Sequence, residues 1–238
     1  MKSITSLFVT LILILTATDI VAQANANSGI SSGPVYQPFL KQVADDVSAD
    51  SLETYIRTLA GFDNRHTMSD TTSDTRGIGA ARRWIKAEFE TISEACGGCL
   101  EVFYVSGEVG GTNRIPDPVN IVNVVAVQRG TADPNRVVMM SGDIDSRASN
   151  VMDADIDSPG ANDNASGMAG AIEAARVLSQ HEFPGTIVYA GLSGEEQGLF
   201  GGEILAEYAI ENGWRIKGVL NNDMIGNIEG INGVINNT

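Results

Sequence analysis

Three apolar runs decide the fold: VVMMS at residues 137–141, TIVYAGL at 186–192 and KGVL at 217–220. Short, continuous apolar runs of this kind are typical of buried strands. Two stretches with helical spacing separate them, an alanine-rich one at 165–178 and an amphipathic one at 199–211. Alternation of strand and helix predicts a parallel sheet with helices on its faces, so we expect an α/β fold.

Upstream of these runs, the pattern predicts two helices and one strand. Asp50-x-x-Glu53 is a capping-box pattern that starts the first predicted helix. The second is predicted at 77–93, where apolar residues recur on one face. Residues 120–128, dominated by Ile and Val, predict a strand, and the cluster at 130–135 predicts a turn.

The N-terminus is typical of an export signal. Lys2 precedes an apolar run at 7–15, and Ala22-Gln23-Ala24 fits the small-x-small cleavage pattern. The run is too short to span a bilayer comfortably. We therefore expect a secreted or periplasmic protein, with a signal peptide at 1–24, a tail at 25–45 and a folded domain at 46–238.

The charge of the chain limits its partners. Its formal net charge is -15, from 15 Lys and Arg against 30 Asp and Glu. Nucleic acids require a basic face, and anionic membranes attract basic segments, so we expect neither nucleic acid binding nor membrane association after signal removal. Most of the acidic residues are expected to serve solubility.

The two cysteines, Cys96 and Cys99, are separated by two glycines. They lie between a predicted helix and an extended segment, whereas a redox-active pair is expected to open a helix after a strand. Two cysteines alone also leave a zinc site incomplete. In an exported chain we expect a structural disulfide that closes a tight turn.

Acidic residues follow each of the three runs. Asp143 and Asp145 come just after the first run. Glu195 and Glu196 come just after the second, and Asp223 comes just after the third. Because the carboxyl ends of parallel strands form the binding crevice of an open sheet, we expect these carboxylates to meet at one edge.

A further acid, Asp163, lies in GANDNASG at 160–167, a loop entering a helix, where the N-terminal dipole favours a carboxylate. Taken singly, such an Asp is more often a helix cap, and a Glu–Glu pair is usually solvated surface. Taken together, these carboxylates repel one another and must take up protons or hold cations. Two divalent ions would neutralise four of them, so the set predicts a two-metal hydrolytic site.

Three segments resemble the metal-binding motifs of the di-zinc aminopeptidases of metallopeptidase family twenty-eight. GANDNASG at 160–167 is similar to the motif of the bridging aspartate, SGEEQGLFG at 193–201 to the glutamate pair, and NDMIG at 222–226 to the third metal segment. The resemblance implies a three-layer helix-sheet-helix fold with a mixed, mainly parallel sheet, as in zinc exopeptidases, and makes 46–238 the metallopeptidase domain.

The resemblance also implies roles for the acidic residues. Asp163 would bridge two divalent metal ions, zinc being the expected metal. Glu196 would bind one ion and Asp223 the other. Glu195 would act as general base on the water that attacks a peptide carbonyl, and would pass its proton to the leaving amine. The implied substrates are peptides, whose free amino end contacts the metal site in the aminopeptidases.

One departure from the family lies at the first strand end. The family's Gly-His-x-Asp-Ser reads Gly142-Asp143-Ile144-Asp145-Ser146 here, so Asp143 holds the place of a histidine ligand. Aspartate is a harder, charged ligand and weakens the preference for zinc. Asp145 has two open roles, supporting the ligands from behind or moving toward the metal itself. Metal or Arg147 must offset the repulsion between Asp143 and Asp145.

A second departure concerns histidine. The family's last histidine ligand lies well beyond the segment of Asp223, and no histidine follows that segment here. We expect His66 to be structural and His181 to be a surface residue. Residues 231–235 resemble a further strand, so we expect an incomplete chain that lacks this ligand and is inactive or poorly folded as it stands.

Three functions stay open on the sequence. The leading hypothesis is an exported metallo-exopeptidase, most simply an aminopeptidase. A non-catalytic binding domain on the same fold would explain Asp143 and the missing histidine. A metal-dependent relative that cyclises N-terminal glutamine or removes C-terminal residues would keep the metals and change the chemistry.

Overall fold

The computed structural model describes residues 38–227 and residue 229. The chain divides into two units, residues 1–42 and 43–238. Helix α1 (Pro38–Asp45) falls across this boundary and forms the end of the predicted tail. The predicted signal peptide, the rest of the tail and the predicted strand at 231–235 lie outside the described residues.

In the described part of the second unit, two helices and three strands are followed by alternating helices and strands, and this alternation from residue 133 onward is the predicted one. The elements are α2 (Ala49–Ala60), α3 (Gly77–Ala95), β1 (Leu100–Val109), β2 (Val119–Gln128), β3 (Asp133–Asp143), a π-helical turn (Ala161–Ser166), α4 (Gly167–Leu178), β4 (Gly185–Leu192), α5 (Phe200–Glu211) and β5 (Arg215–Asn222). None of the helices among the described residues is long and apolar enough to cross a membrane.

Two local predictions need correction. Helix α2 is capped by Ser48, whose side chain accepts the Ser51 N–H at 3.1 Å, so the cap lies two residues before Asp50. Strand β3 begins at Asp133, inside the predicted turn. It starts early because the Asp133 N–H donates to the Pro184 carbonyl at 2.8 Å, which pairs this backbone with the segment entering β4.

The described strands form one mixed sheet in the order β1-β2-β4-β3-β5. Strand β3 lies between β4 and β5 and is parallel to both, which is the predicted parallel sheet. Strand β2 is antiparallel to β1 and to β4. The mixed sheet implied by the resemblance is therefore confirmed.

Each face of the sheet carries its own core. On β2, Val124 and Ala126 belong to the core shared with α2, α3 and α4. Their neighbours Val125 and Val127 face the opposite side and belong to the core that includes Leu205 of α5. This alternation follows from the two-residue period of a strand and gives three layers of helix, sheet and helix.

The predicted disulfide is present between Cys96 and Cys99. It closes the short turn between the end of α3 and the start of β1. The two sulfurs are bonded to each other, so neither cysteine is a free thiol.

Candidate active site

The three predicted strand ends lie side by side. Gly142 of β3 is paired with Gly191 of β4 on one side and with Asn222 of β5 on the other. Asp143 follows Gly142 directly, and Asp223 follows Asn222. The carboxyl ends of neighbouring strands therefore place acidic residues at the same edge of the sheet, as the sequence predicts.

Two glycines bring the start of α4 onto these strand ends. A Cβ atom on Gly142 would lie 2.5 Å from the backbone carbonyl carbon of Gly167. A Cβ atom on Gly167 would lie 2.1 Å from the carbonyl oxygen of Asn222. Only residues without a side chain permit this approach, and it places the turn that carries Asp163 beside β3 and β5.

Asp143 is buried at the end of β3, with 3% of its surface exposed. Its Oδ2 atom accepts a hydrogen bond from Nδ2 of Asn164 at 2.8 Å. Burial, opposed by this hydrogen bond and reinforced by the carboxylates of Asp145, Glu195 and Asp223, raises the pKa of Asp143 to about 7.

Asp145 bonds to the backbone of the glutamate pair. Its Oδ1 accepts the backbone N–H of Glu195 at 3.2 Å, and its Oδ2 accepts the N–H of Glu196 at 3.2 Å. Oδ2 also accepts the hydroxyl of Thr67 at 2.7 Å. Both oxygens of Asp145 are thus engaged, and 1% of the residue is exposed. These bonds fit the supporting one of its two predicted roles.

The loop of the glutamate pair is fixed at both ends by Asn123 of β2. The Asn123 Oδ1 atom accepts the N–H of Ser193 at 3.0 Å, and its Nδ2 donates to the carbonyl of Gly201 at 2.8 Å. Asn123 is fully buried and directly precedes the apolar run at 124–127. A polar residue beside such a run was the one signal that could have pointed to this clamp.

The two glutamates differ in their surroundings. Oε2 of Glu196 accepts a hydrogen bond from Nε of Arg147 at 2.5 Å. Arg147 thus pairs with Glu196, so of the two alternatives for offsetting the repulsion between Asp143 and Asp145, a metal ion is the one that stays open. Among the described residues, no donor bonds to the carboxylate of Glu195, which borders a cleft of about 320 Å³ together with Asp143.

The surroundings of Glu195 favour its protonated form when no cation is present. Burial and then the carboxylates of Glu196, Asp145 and two further aspartates raise the pKa of Glu195 to about 7. Burial followed by the charge of Asp163 also raises the pKa of Asp223. The carboxylates are therefore close enough to influence one another's pKa, as expected for residues that follow the ends of adjacent strands.

A buried arginine next to the site was not predicted from the sequence. Arg65 is fully buried, and its guanidinium donates to the carbonyls of Ile144 (2.8 Å), Pro159 (2.6 Å) and Gly160 (3.0 Å). It thereby ties the chain after β3 to the start of the loop of Asp163. Burial lowers the pKa of Arg65 to about 10, and the charges of two nearby carboxylates oppose this.

The two histidines lie in different surroundings. His66 is fully buried; its Nδ1 accepts the N–H of Met68 at 3.1 Å, and its Nε2 lies 3.0 Å from the carbonyl of Val151. The structural role expected for His66 fits these bonds. His181 follows α4, and its carbonyl accepts a hydrogen bond from Nε2 of Gln128 at 2.6 Å, at the end of the sheet away from Asp143.

Residues 123–235 match the model of the family described as peptidase family M28. Curated relatives agree with this match over most of the chain. The chain belongs to peptidase family M28.

Two fungal relatives of this M28 chain carry the name "Probable zinc metalloprotease". The one from Pyrenophora tritici-repentis is 43% identical over 82% of this chain and 40% of its own length. The one from Pyricularia oryzae is 40% identical over 88% of this chain and 43% of its own. The M28 chain thus spans less than half the length of these relatives.

Solved structures share the fold. The LapA aminopeptidase of Legionella pneumophila superposes with a TM-score of 0.58 at 22% identity, covering 80% of this chain and 48% of that one. A glutaminyl cyclase from an Acidobacteriales bacterium gives 0.57 at 23% identity, covering 77% and 62%. Both resemblances concern the fold alone.

The donor chemistry of this M28 site fits divalent ions. Asp143, Asp163, Glu196 and Asp223 offer carboxylate oxygens, which zinc and harder divalent ions accept. Within the part of the chain that the structure describes, no three His, Cys, Asp or Glu side chains converge closely enough to form a finished metal site. The described carboxylates influence one another electrostatically, but they do not form a complete set of metal ligands.

Proposed function

We propose that the protein containing this chain is an exported metallo-exopeptidase, an aminopeptidase that hydrolyses N-terminal residues of peptides. The observation that carries the proposal is the placement of Asp143, Glu195 and Asp223 after the ends of three adjacent strands, within electrostatic reach of one another. Membership of a peptidase family supports hydrolysis of peptide bonds, and the apolar N-terminal run supports export.

Asp163, Glu196, Asp223 and Asp143 are the residues that would hold two divalent ions, with zinc as the proposed metal. Such ions supply Lewis acidity to a peptide carbonyl and to water. The name of the fungal relatives supports zinc.

Glu195 is the proposed general base. Its carboxylate borders the cleft and has no hydrogen-bond donor among the described residues, whereas Glu196 is engaged by Arg147. Its backbone N–H is bonded to Asp145, which fixes the point from which the side chain extends. Glu195 would take a proton from the attacking water and return it to the leaving amine.

A panel of aminoacyl-nitroanilides assayed with the intact exported protein, together with analysis of bound metal, tests the proposal. Glu195→Gln is expected to lower kcat by roughly 10² to 10⁴ while metal content is retained. Glu207→Gln, the same change at an exposed position of α5, is the matched control and should leave kcat unchanged. Absence of bound divalent metal, or full activity in Glu195→Gln, would refute the proposal.

A second candidate is cyclisation of N-terminal glutamine. It is supported by the glutaminyl cyclase among the solved structures with this fold. A peptide with N-terminal glutamine separates the two activities: an aminopeptidase releases free glutamine, whereas a cyclase releases ammonia and leaves a blocked peptide. Mass spectrometry of the products distinguishes them directly.

A further inference from the structure

Asn164, the residue after Asp163, uses both hydrogens of its side-chain amide on neighbouring strand ends. Nδ2 donates to Oδ2 of Asp143 at 2.8 Å and to the carbonyl of Asn222 at 2.9 Å. Asp143 ends β3 and Asn222 ends β5. One amide nitrogen therefore bridges two adjacent parallel strands at the level of the site.

The amide oxygen of Asn164 is engaged as fully as the nitrogen. Oδ1 accepts the backbone N–H of Gly167 at 3.1 Å and that of Met224 at 3.2 Å. The nitrogen faces two acceptors and the oxygen faces two donors, so only this orientation of the amide satisfies all four partners. Because only 2% of its surface is exposed, water cannot replace these hydrogen bonds of Asn164.

These four bonds join every backbone segment that brings an aspartate to the site. Asp223 lies between Asn222 and Met224, both of which Asn164 binds. Asp163 is its neighbour in the chain, and Asp143 is bonded directly. The bond to Asp143 is made at Oδ2, and no donor among the described residues bonds to its Oδ1.

We propose that Asn164 is a positioning residue for metal binding, which holds Asp143, Asp163 and Asp223 at a fixed separation by engaging all four hydrogen-bonding positions of its amide. The inference rests on the proposed metal site. Asn164 itself need not touch the metal or the substrate, because it acts through the three aspartates.

Asparagine is the side chain that this position requires. An aspartate of the same shape has no N–H to donate, so it would face Asp143 and the carbonyl of Asn222 with oxygen. It would also add a negative charge. Electrostatic attraction alone predicts that this added charge strengthens binding of a divalent cation. The positioning role predicts the opposite, because the aspartates lose their alignment.

The test is the affinity of the intact protein for Zn²⁺, measured by chelator-competition titration in wild type and in Asn164→Asp. We expect binding to weaken by roughly 10- to 100-fold, the usual effect of removing a partner that orients a ligand. Asn135→Asp makes the same change at an exposed position near the opposite end of β3 and serves as the matched control, with unchanged affinity expected.

A second variant and an absorption spectrum distinguish loss of positioning from a folding defect. Asn164→Ala removes the four bonds without adding charge, and should also weaken Zn²⁺ binding in protein shown to be folded by circular dichroism. In the Co²⁺-loaded protein, both variants should change the visible absorption bands, which report coordination geometry, whereas Asn135→Asp should not.

The outcomes separate the two proposals. Wild type that binds no divalent ion would overturn the proposed function and this inference with it. Wild type that binds Zn²⁺, with unchanged or tighter binding in folded Asn164→Asp or Asn164→Ala, would overturn the positioning role alone.

Discussion

Asp145 holds the backbone of Glu195 by accepting its N–H at 3.2 Å across 50 residues of sequence. The same carboxylate accepts the N–H of Glu196, so both glutamates depend on one buried anion. Burial raises the pKa of Asp145, and the hydrogen bonds that it accepts oppose this shift. Asp145 therefore links the end of β3 to the loop that follows β4.

Asp145→Asn should loosen this loop. An amide presents one oxygen, so at least one of the three donors that Asp145 now satisfies would face an N–H group. We expect the free energy of unfolding to fall by about 1–3 kcal/mol and kcat/KM to fall as well. Denaturant titration and nitroanilide kinetics measure the two effects. Asp74→Asn, at a side chain that is 94% exposed, should change neither.

Gly142→Ala should separate α4 from the sheet. The added methyl group would lie 2.5 Å from backbone atoms of Gly167 and Met168, which cannot turn aside. We expect the protein to lose at least about 1–3 kcal/mol of stability, the usual cost of overpacking. Gly202→Ala is the matched control, since its methyl group would meet nothing within 4 Å. There, helix propensity predicts a gain of up to about 1 kcal/mol in thermal or denaturant unfolding.

The parallel part of the sheet and its acidic edge could be predicted because both depend on local patterns. Apolar runs separated by helical spacing fix which segments become strands, and parallel strands end on the same side. The proximity of Asp143 and Asp223 could therefore be predicted from their positions after two parallel strands. The antiparallel pairing of β1 and β2 has no comparable local signal.

The residues that hold the acids in place could not be predicted. Arg65, Asn123 and Asn164 bind partners that lie about 20 to 95 residues away, and nothing near them in sequence indicates those contacts. The ion pair of Arg147 with Glu196 was likewise not predictable, because the loop after β4 brings Glu196 to it from 49 residues away. Buried polar contacts depend on the tertiary arrangement, which periodicity does not encode.

The metal-free protein should become less stable as the pH rises from about 4 to about 7. Burial raises the pKa of Asp143 to about 7 in the folded state, so the folded state binds more protons than the unfolded state across this interval. Stability then falls with rising pH, by roughly 2 to 4 kcal/mol for this residue. Asp143→Asn should lack this contribution. Denaturant titrations in EDTA between pH 4.5 and 7.5 measure it, and parallel curves for the two proteins would contradict it.

The identity of residue 143 should set the choice of metal. Among the described residues, the groups at the ends of β3 and β5 are carboxylates, which suit harder ions such as Mn²⁺, whereas imidazole suits zinc. Asp143→His should therefore raise the ratio of Zn²⁺ to Mn²⁺ affinity, on the order of tenfold. Equilibrium dialysis against each ion followed by metal analysis gives the ratio. Asp74→His places the same ligand on an exposed loop and should leave the ratio unchanged. An equal ratio in wild type and Asp143→His would show that residue 143 does not contact the metal.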